Sequence, residues 1–114
     1  MKVIDIAKIL NADILCCADL AETTPVSSAF GADMMSDVLA YVTNQGTLLT
    51  GLVNPQVVRT AEMMDISCIV FVRGKKPDKM VIELAQSKNI ILLSTPERMY
   101  PACGKLYAAG VKEG

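Results

Sequence analysis

Any chemistry in this chain has to come from its turns. Three of them carry polar residues that could meet a ligand. Thr50, Gly51 and Asn54 follow one apolar run, Arg73, Gly74, Lys75 and Lys76 follow the next, and Ser94, Thr95 and Arg98 follow the last. Arg73-Gly74-Lys75-Lys76 is the only compact basic cluster, and a helical pattern comes after it. A helix start offers unpaired backbone N–H groups and the positive end of the helix dipole, so an anion or phosphate suits such a turn. The plainer reading is that Lys75 and Lys76 are solvated, because neither GxxxxGK[ST] nor GxGxxG is present.

Catalytic groups are scarce. The chain has no histidine, which removes the commonest general base and the commonest zinc ligand. A Ser-His or Cys-His nucleophile is therefore excluded. Cys16, Cys17, Cys68 and Cys103 lack C-x-x-C spacing, and three of them sit in or beside apolar runs. Buried structural thiols are expected; a metal or cluster site through Cys16 or Cys17, Cys68 and Cys103 is the alternative. Asp33, Asp37 and Glu62 are possible carboxylate ligands, yet helix caps and solvated faces account for them. The expectation is no catalytic residue, no metal and no cofactor.

The elements that position these turns centre on residues 47–79. Thr47-Leu48-Leu49-Thr50 is a short apolar run ending at Gly51, and Asn54-Pro55 reads as an N-cap followed by a first-turn proline. Val57, Val58, Ala61 and Met64 recur at helical spacing before the run from Cys68 to Val72. Strand, helix, strand and helix in that order form a parallel βαβ unit. The unit recurs from Ile90-Ile91-Leu92-Leu93, bounded by Ser94-Thr95-Pro96. A wound α/β sheet follows, and such sheets bind ligands outside the carboxyl ends of their strands.

Around this centre, Val3 to Leu10 fits a first helix stopped at Asn11, and Ile14 to Cys17 a short buried strand. Residues 19–26 read as a polar loop, and residues 27–32 as a weak edge strand. Met34, Met35, Val38, Leu39 and Val42 form a helical stripe, capped by Asp33 or Ser36 and ended by Asn44-Gln45-Gly46. Residues 97–109 form a last helix that starts or kinks at Pro101, and Lys112-Glu113 reads as a frayed end. Met34, Met35, Met63, Met64, Met80 and Met99 fall on apolar helix faces; core packing is expected, with an adaptable contact surface as the alternative.

At 114 residues the chain has room for a single core. Apolar residues make up 52% but come in short blocks, so no membrane span is expected. A net charge of −1 and few aromatics argue against nucleic acid. Asp5 interrupts the start where a signal peptide would be apolar, and the cysteines suit a reducing compartment; a cytoplasmic protein is expected.

The order of elements resembles the DRTGG domain, a small α/β module related to the N-terminal domain of HPr kinase/phosphorylase. The resemblance spans nearly the whole chain. It rests on residues 6–10 with Asp13-Ile14-Leu15, and on Gly31-Ala32-Asp33-Met34 with Val38-Leu39. It continues through residues 46–51, residues 69–77, and Glu83-Leu84-Ala85 leading to residues 90–96. The family's signature is an Asp-Arg pair after one strand and Thr-Gly-Gly after the next. Here Leu52 and Val53 stand in place of the pair, and Val72-Arg73-Gly74 in place of the triplet.

The resemblance implies a regulatory or ligand-sensing module, since such domains occur joined to nucleotide-binding CBS domains and to phosphate acetyltransferases. Short stand-alone copies look like proteins encoded beside iron-only hydrogenase genes. The expected architecture is one domain over residues 1–114: a three-layer α/β/α sandwich with a mostly parallel sheet of about four or five strands. The expected function is non-catalytic sensing of a nucleotide or phosphorylated small molecule at Thr50, Gly51, Asn54, Arg73, Gly74, Lys75, Ser94 and Thr95. The alternative is a protein-interaction or assembly module tied to a hydrogenase system. A homodimer is expected in either case.

Overall fold

A computed structural model describes residues 1–42 and 46–114 of the chain. In chain order the elements are α1 (Val3–Ile9), β1 (Asp13–Cys16), α2 (Ala18–Ala21), β2 (Ser28–Gly31), α3 (Met35–Tyr41) and β3 (Thr47–Thr50). They continue as α4 (Pro55–Met63), β4 (Cys68–Phe71), α5 (Lys79–Ser87), β5 (Ile91–Ser94), α6 (Met99–Ala108) and β6 (Lys112–Glu113).

The central run of β3, β4 and β5 forms because each strand is apolar throughout and needs cover on both faces. All their residues are buried. Leu48, Ile69, Phe71 and Leu92 face one core with Val38 of α3, Val57, Val58 and Ala61 of α4, and Val81 and Ala85 of α5. Leu49, Cys68, Val70, Ile91 and Leu93 face the other with Val3, Ile6 and Ala7 of α1, and Ala102 and Leu106 of α6. Period-two alternation thus builds a three-layer sandwich. Phe71 is fully buried, and burying such a side chain contributes about 1.5–3 kcal/mol.

Strand order is β1-β5-β4-β3-β2-β6, parallel from β5 through β6, with β1 antiparallel at one edge. Among the described residues the sheet therefore has six strands, one more than the upper expectation. The addition is β6, which pairs Lys112 with Ser28 and Glu113 with Ala29. The supposed frayed end closes the sheet, and β2 lies inside it rather than at its edge.

Other local expectations are corrected. β1 is half-exposed because it has a partner on one side only. Cys17 leaves it in the left-handed region (φ 60°) to begin α2, a short helix that runs into the expected loop. Pro101 lies in the first turn of α6, where its missing N–H removes no helical bond. Met35 is buried, but Met34, Met63 and Met80 are 63%, 69% and 72% exposed, so these three are not core residues. Of the expected stop after α3, Asn44 and Gln45 lie outside the described residues. Gly46 packs against Ser28, where a Cβ would come within 2.9 Å of the Ser28 carbonyl carbon. No described helix is long and apolar enough to cross a membrane.

Candidate functional site

Parallel register places the ends of β2, β3 and β4 side by side. Gly31 is level with Leu49, and Thr50 with Phe71. The residues just beyond these ends therefore meet: Asp33 after β2, Gly51 after β3 and Arg73 after β4. The Gly51 N–H donates to Asp33 Oδ1 at 2.6 Å, and the Thr50 hydroxyl donates to the same oxygen at 3.5 Å. Arg73 Nη1 stands 3.9 Å from Asp33 Oδ2, with both side chains about half exposed. The guanidinium lies over the Gly51 Cα, in space that a Cβ would fill.

Arg73 is held there by its backbone. It sits in the left-handed region at φ 61°, followed by Gly74 at φ 67°. A non-glycine residue rarely adopts this conformation, and here the surrounding bonds enforce it. Arg73 N donates to Glu97 O at 2.7 Å and Gly74 N to Thr95 O at 2.8 Å. With its backbone turned inward, Arg73 sends its side chain along the strand ends.

The remaining expected residues do structural work in this geometry. β4 and β5 send their following helices, α5 and α6, to opposite faces of the sheet, so the crevice of a wound sheet should open between them. Loop-to-loop hydrogen bonds fill it. Ser94 Oγ donates to Lys75 O at 2.7 Å, and Thr95 Oγ1 donates to Leu10 O at 2.6 Å while accepting from Glu97 N. Both hydroxyls are buried. Asn54 Oδ1 accepts from Gln56 N at 3.1 Å as the N-cap of α4. The α5 terminus behind the basic turn is already capped, since Asp78 accepts from Val81 N at 3.1 Å. An anion held by that helix start, as the sequence suggested, would meet a carboxylate in place.

The structure therefore divides the expected set. Thr50, Gly51 and Arg73 gather at the strand ends, which we call the mouth: Thr50 and Gly51 are buried beneath Asp33, while Arg73, Gly74 and Lys75 are exposed. Ser94 and Thr95 are withdrawn into the sealed crevice, and Asn54 is a cap. Leu52 and Val53, which replace the signature pair, pack partly buried on the α3–α5 core and leave the mouth apolar on that side. Lys76 pairs with Asp13 at 3.6 Å.

Sequence reasoning missed Asp33, treating it as a helix cap. Met34 is the N-cap of α3, with no side-chain cap bond. Only the parallel register brings Asp33 and Gly51 together, since Asp33 lies two residues past Gly31 and Gly51 two past Leu49.

A second feature lies between α6, β2 and β6. It is an apolar groove of about 600 Å³ whose lining includes Phe30, Leu49, Tyr100, Cys103, Tyr107 and Val111. Gly31 makes room for that thiol, since a Cβ there would lie 2.8 Å from Cys103 Sγ. Tyr100 is 90% exposed.

Burial pushes the Cys68 thiol up to about 12 and Cys16 to about 11, and it raises Cys103 as well. Among the described residues no three cysteine or carboxylate side chains gather as a metal site would require.

Comparison with known structures fits this architecture. The chain is similar to a crystal structure of the CBS and DRTGG domains of the regulatory region of Clostridium perfringens pyrophosphatase, complexed with the activator diadenosine tetraphosphate. The TM-score is 0.70 at 18% identity, and the match covers 92% of this chain and 45% of that one. The chain thus spans less than half the length of that relative. Among curated proteins none matches. The DRTGG domain family model matches residues 5–108, from within α1 to the end of α6. By that match the chain belongs to the DRTGG domain family.

Proposed function

We propose that this protein is a non-catalytic regulatory module that senses an anionic small molecule, a nucleotide or another phosphorylated compound, at the mouth formed by Thr50, Gly51 and Arg73. The observation that carries the reading is Arg73 itself. A permanently charged, half-exposed guanidinium is fixed by a left-handed backbone beside the backbone donor of Gly51. Guanidinium and backbone N–H together recognise phosphate and carboxylate groups. The similar pyrophosphatase region, whose structure contains a dinucleoside polyphosphate activator, supports the same class of ligand.

A thermal-shift screen of nucleotides, dinucleoside polyphosphates and sugar phosphates tests this. A ligand at 100 times its dissociation constant stabilises by about 2.7 kcal/mol. The expected result is a shift with at least one phosphorylated compound that disappears in Arg73→Ala. No shift with any anion overturns the reading.

The groove beside α6 favours a second reading, an assembly module. Exposed Tyr100 and Tyr107 flank apolar volume next to a sheet edge, a composition suited to protein contact. Self-association as a homodimer and the hydrogenase link implied by family resemblance both belong to this reading. A monomer in light scattering, together with no partner recovered in a pull-down, would count against it.

A further inference from the structure

We propose that Asp33 is an internal competitor for the anion subsite, a carboxylate of the chain itself that an incoming phosphate must displace. This rests on the function proposed for that mouth and adds how the mouth is regulated. One carboxylate spans the donors an external anion would use: Gly51 N at 2.6 Å, Thr50 Oγ1 at 3.5 Å and Arg73 Nη1 at 3.9 Å. Carboxylate and phosphate oxygens accept from the same donors in the same way. A phosphate placed on Gly51 and Arg73 with Asp33 still present would set two anions against each other, which is costly.

Asp33 is also placed to leave. It lies in the short link between β2 and α3, and its side chain is 54% exposed. Ala32 N donates to Leu49 O at 3.0 Å, so the link is anchored on the β3 side just before the carboxylate. The next residue, Met34, is the exposed N-cap of α3. Displacing Asp33 therefore acts directly on the start of α3, whose outward Leu39 and Tyr41 are exposed.

Inorganic pyrophosphate, titrated calorimetrically into the full chain, tests the proposal. Asp33→Ala should bind it about 10- to 100-fold more tightly than the wild type, the range of one charge-assisted hydrogen bond. Asp33→Asn keeps an acceptor for Gly51 but loses the charge, and a smaller gain is expected. Arg73→Ala should abolish binding in either background. Affinity unchanged or weakened in Asp33→Ala, with binding still dependent on Arg73, overturns the proposal but leaves the anion site standing. Binding that ignores Arg73, or none in any form, overturns both. If Asp33→Ala proves unfolded by circular dichroism, Asp33→Asn decides, and no gain in it overturns the proposal.

Discussion

The Arg73 guanidinium occupies the space over Gly51 that any side chain at residue 51 would need, with Arg73 Cζ 2.8 Å from where a Cβ would stand. Gly51 is thus a glycine for the sake of its neighbour, since its own backbone lies outside the left-handed region. The obstructing atoms are the far end of a flexible side chain, so Gly51→Ala should swing Arg73 away at little cost. Gly51 is buried, but only that side chain has to move, so we expect a loss of no more than about 1 kcal/mol, the low end for overpacking. Anion-induced stabilisation should fall as far as it does in Arg73→Ala. Urea unfolding with and without pyrophosphate measures both; retained anion binding would show that the guanidinium position is unimportant.

Asn54 stands near the mouth, but its side chain already serves α4. Asn54→Ala should cost about 1 kcal/mol by loss of the cap. It should leave any anion affinity unchanged. A drop in affinity comparable to that of Arg73→Ala would return Asn54 to the binding set.

The sandwich was legible because the residues that build it carry their own signals. β3, β4 and β5 are continuous apolar runs, and α4 announces itself with Asn54-Pro55. β6 carried no such signal. Two charged residues have no periodicity, and their strand exists only because β2 offers a free edge. The methionines misled because helical spacing marks a face without saying whether anything covers it; Met63 and Met80 lie where nothing does. At the mouth, the turns were found and their roles were not. A hydroxyl in a turn looks the same in sequence whether it meets solvent, like a ligand group, or a buried carbonyl, as Thr95 meets Leu10. Asp33 joins Gly51 only through strand pairing, which local pattern does not contain.

Thr95 ties the carboxyl end of β5 to the end of α1, donating to Leu10 O and accepting from Glu97 N. Thr95→Val preserves shape and removes both bonds, leaving a buried acceptor unpaired. The expected loss is about 1–3 kcal/mol, read as a lower urea midpoint with an unchanged m-value. Because Gly74 and Arg73 hydrogen-bond to the same loop, the left-handed turn should loosen too. Native-state hydrogen exchange at the Arg73 and Gly74 amides should therefore rise more than exchange at the centre of β3. Uniform acceleration would mean that the loop pairing does not hold Arg73.

The buried thiols predict a specific response to alkaline pH. Cys68 and Cys16 are raised from 9.0 to about 12 and about 11, chiefly because burial disfavours the thiolate. The folded protein keeps these protons over a range where the unfolded chain has released them. Stability therefore has its full value below pH 9, falls as pH rises through each interval, and stops falling on their account above the folded values. For Cys16 the interval is 9.0 to about 11, and for Cys68 it is 9.0 to about 12. The difference between wild type and Cys68→Ala isolates the thiol. Cys68→Ala leaves a small void and should be less stable at neutral pH by a constant amount. Its curve should then converge on the wild type's as pH rises from 9. Parallel curves would mean that Cys68 ionises as readily in the fold as outside it.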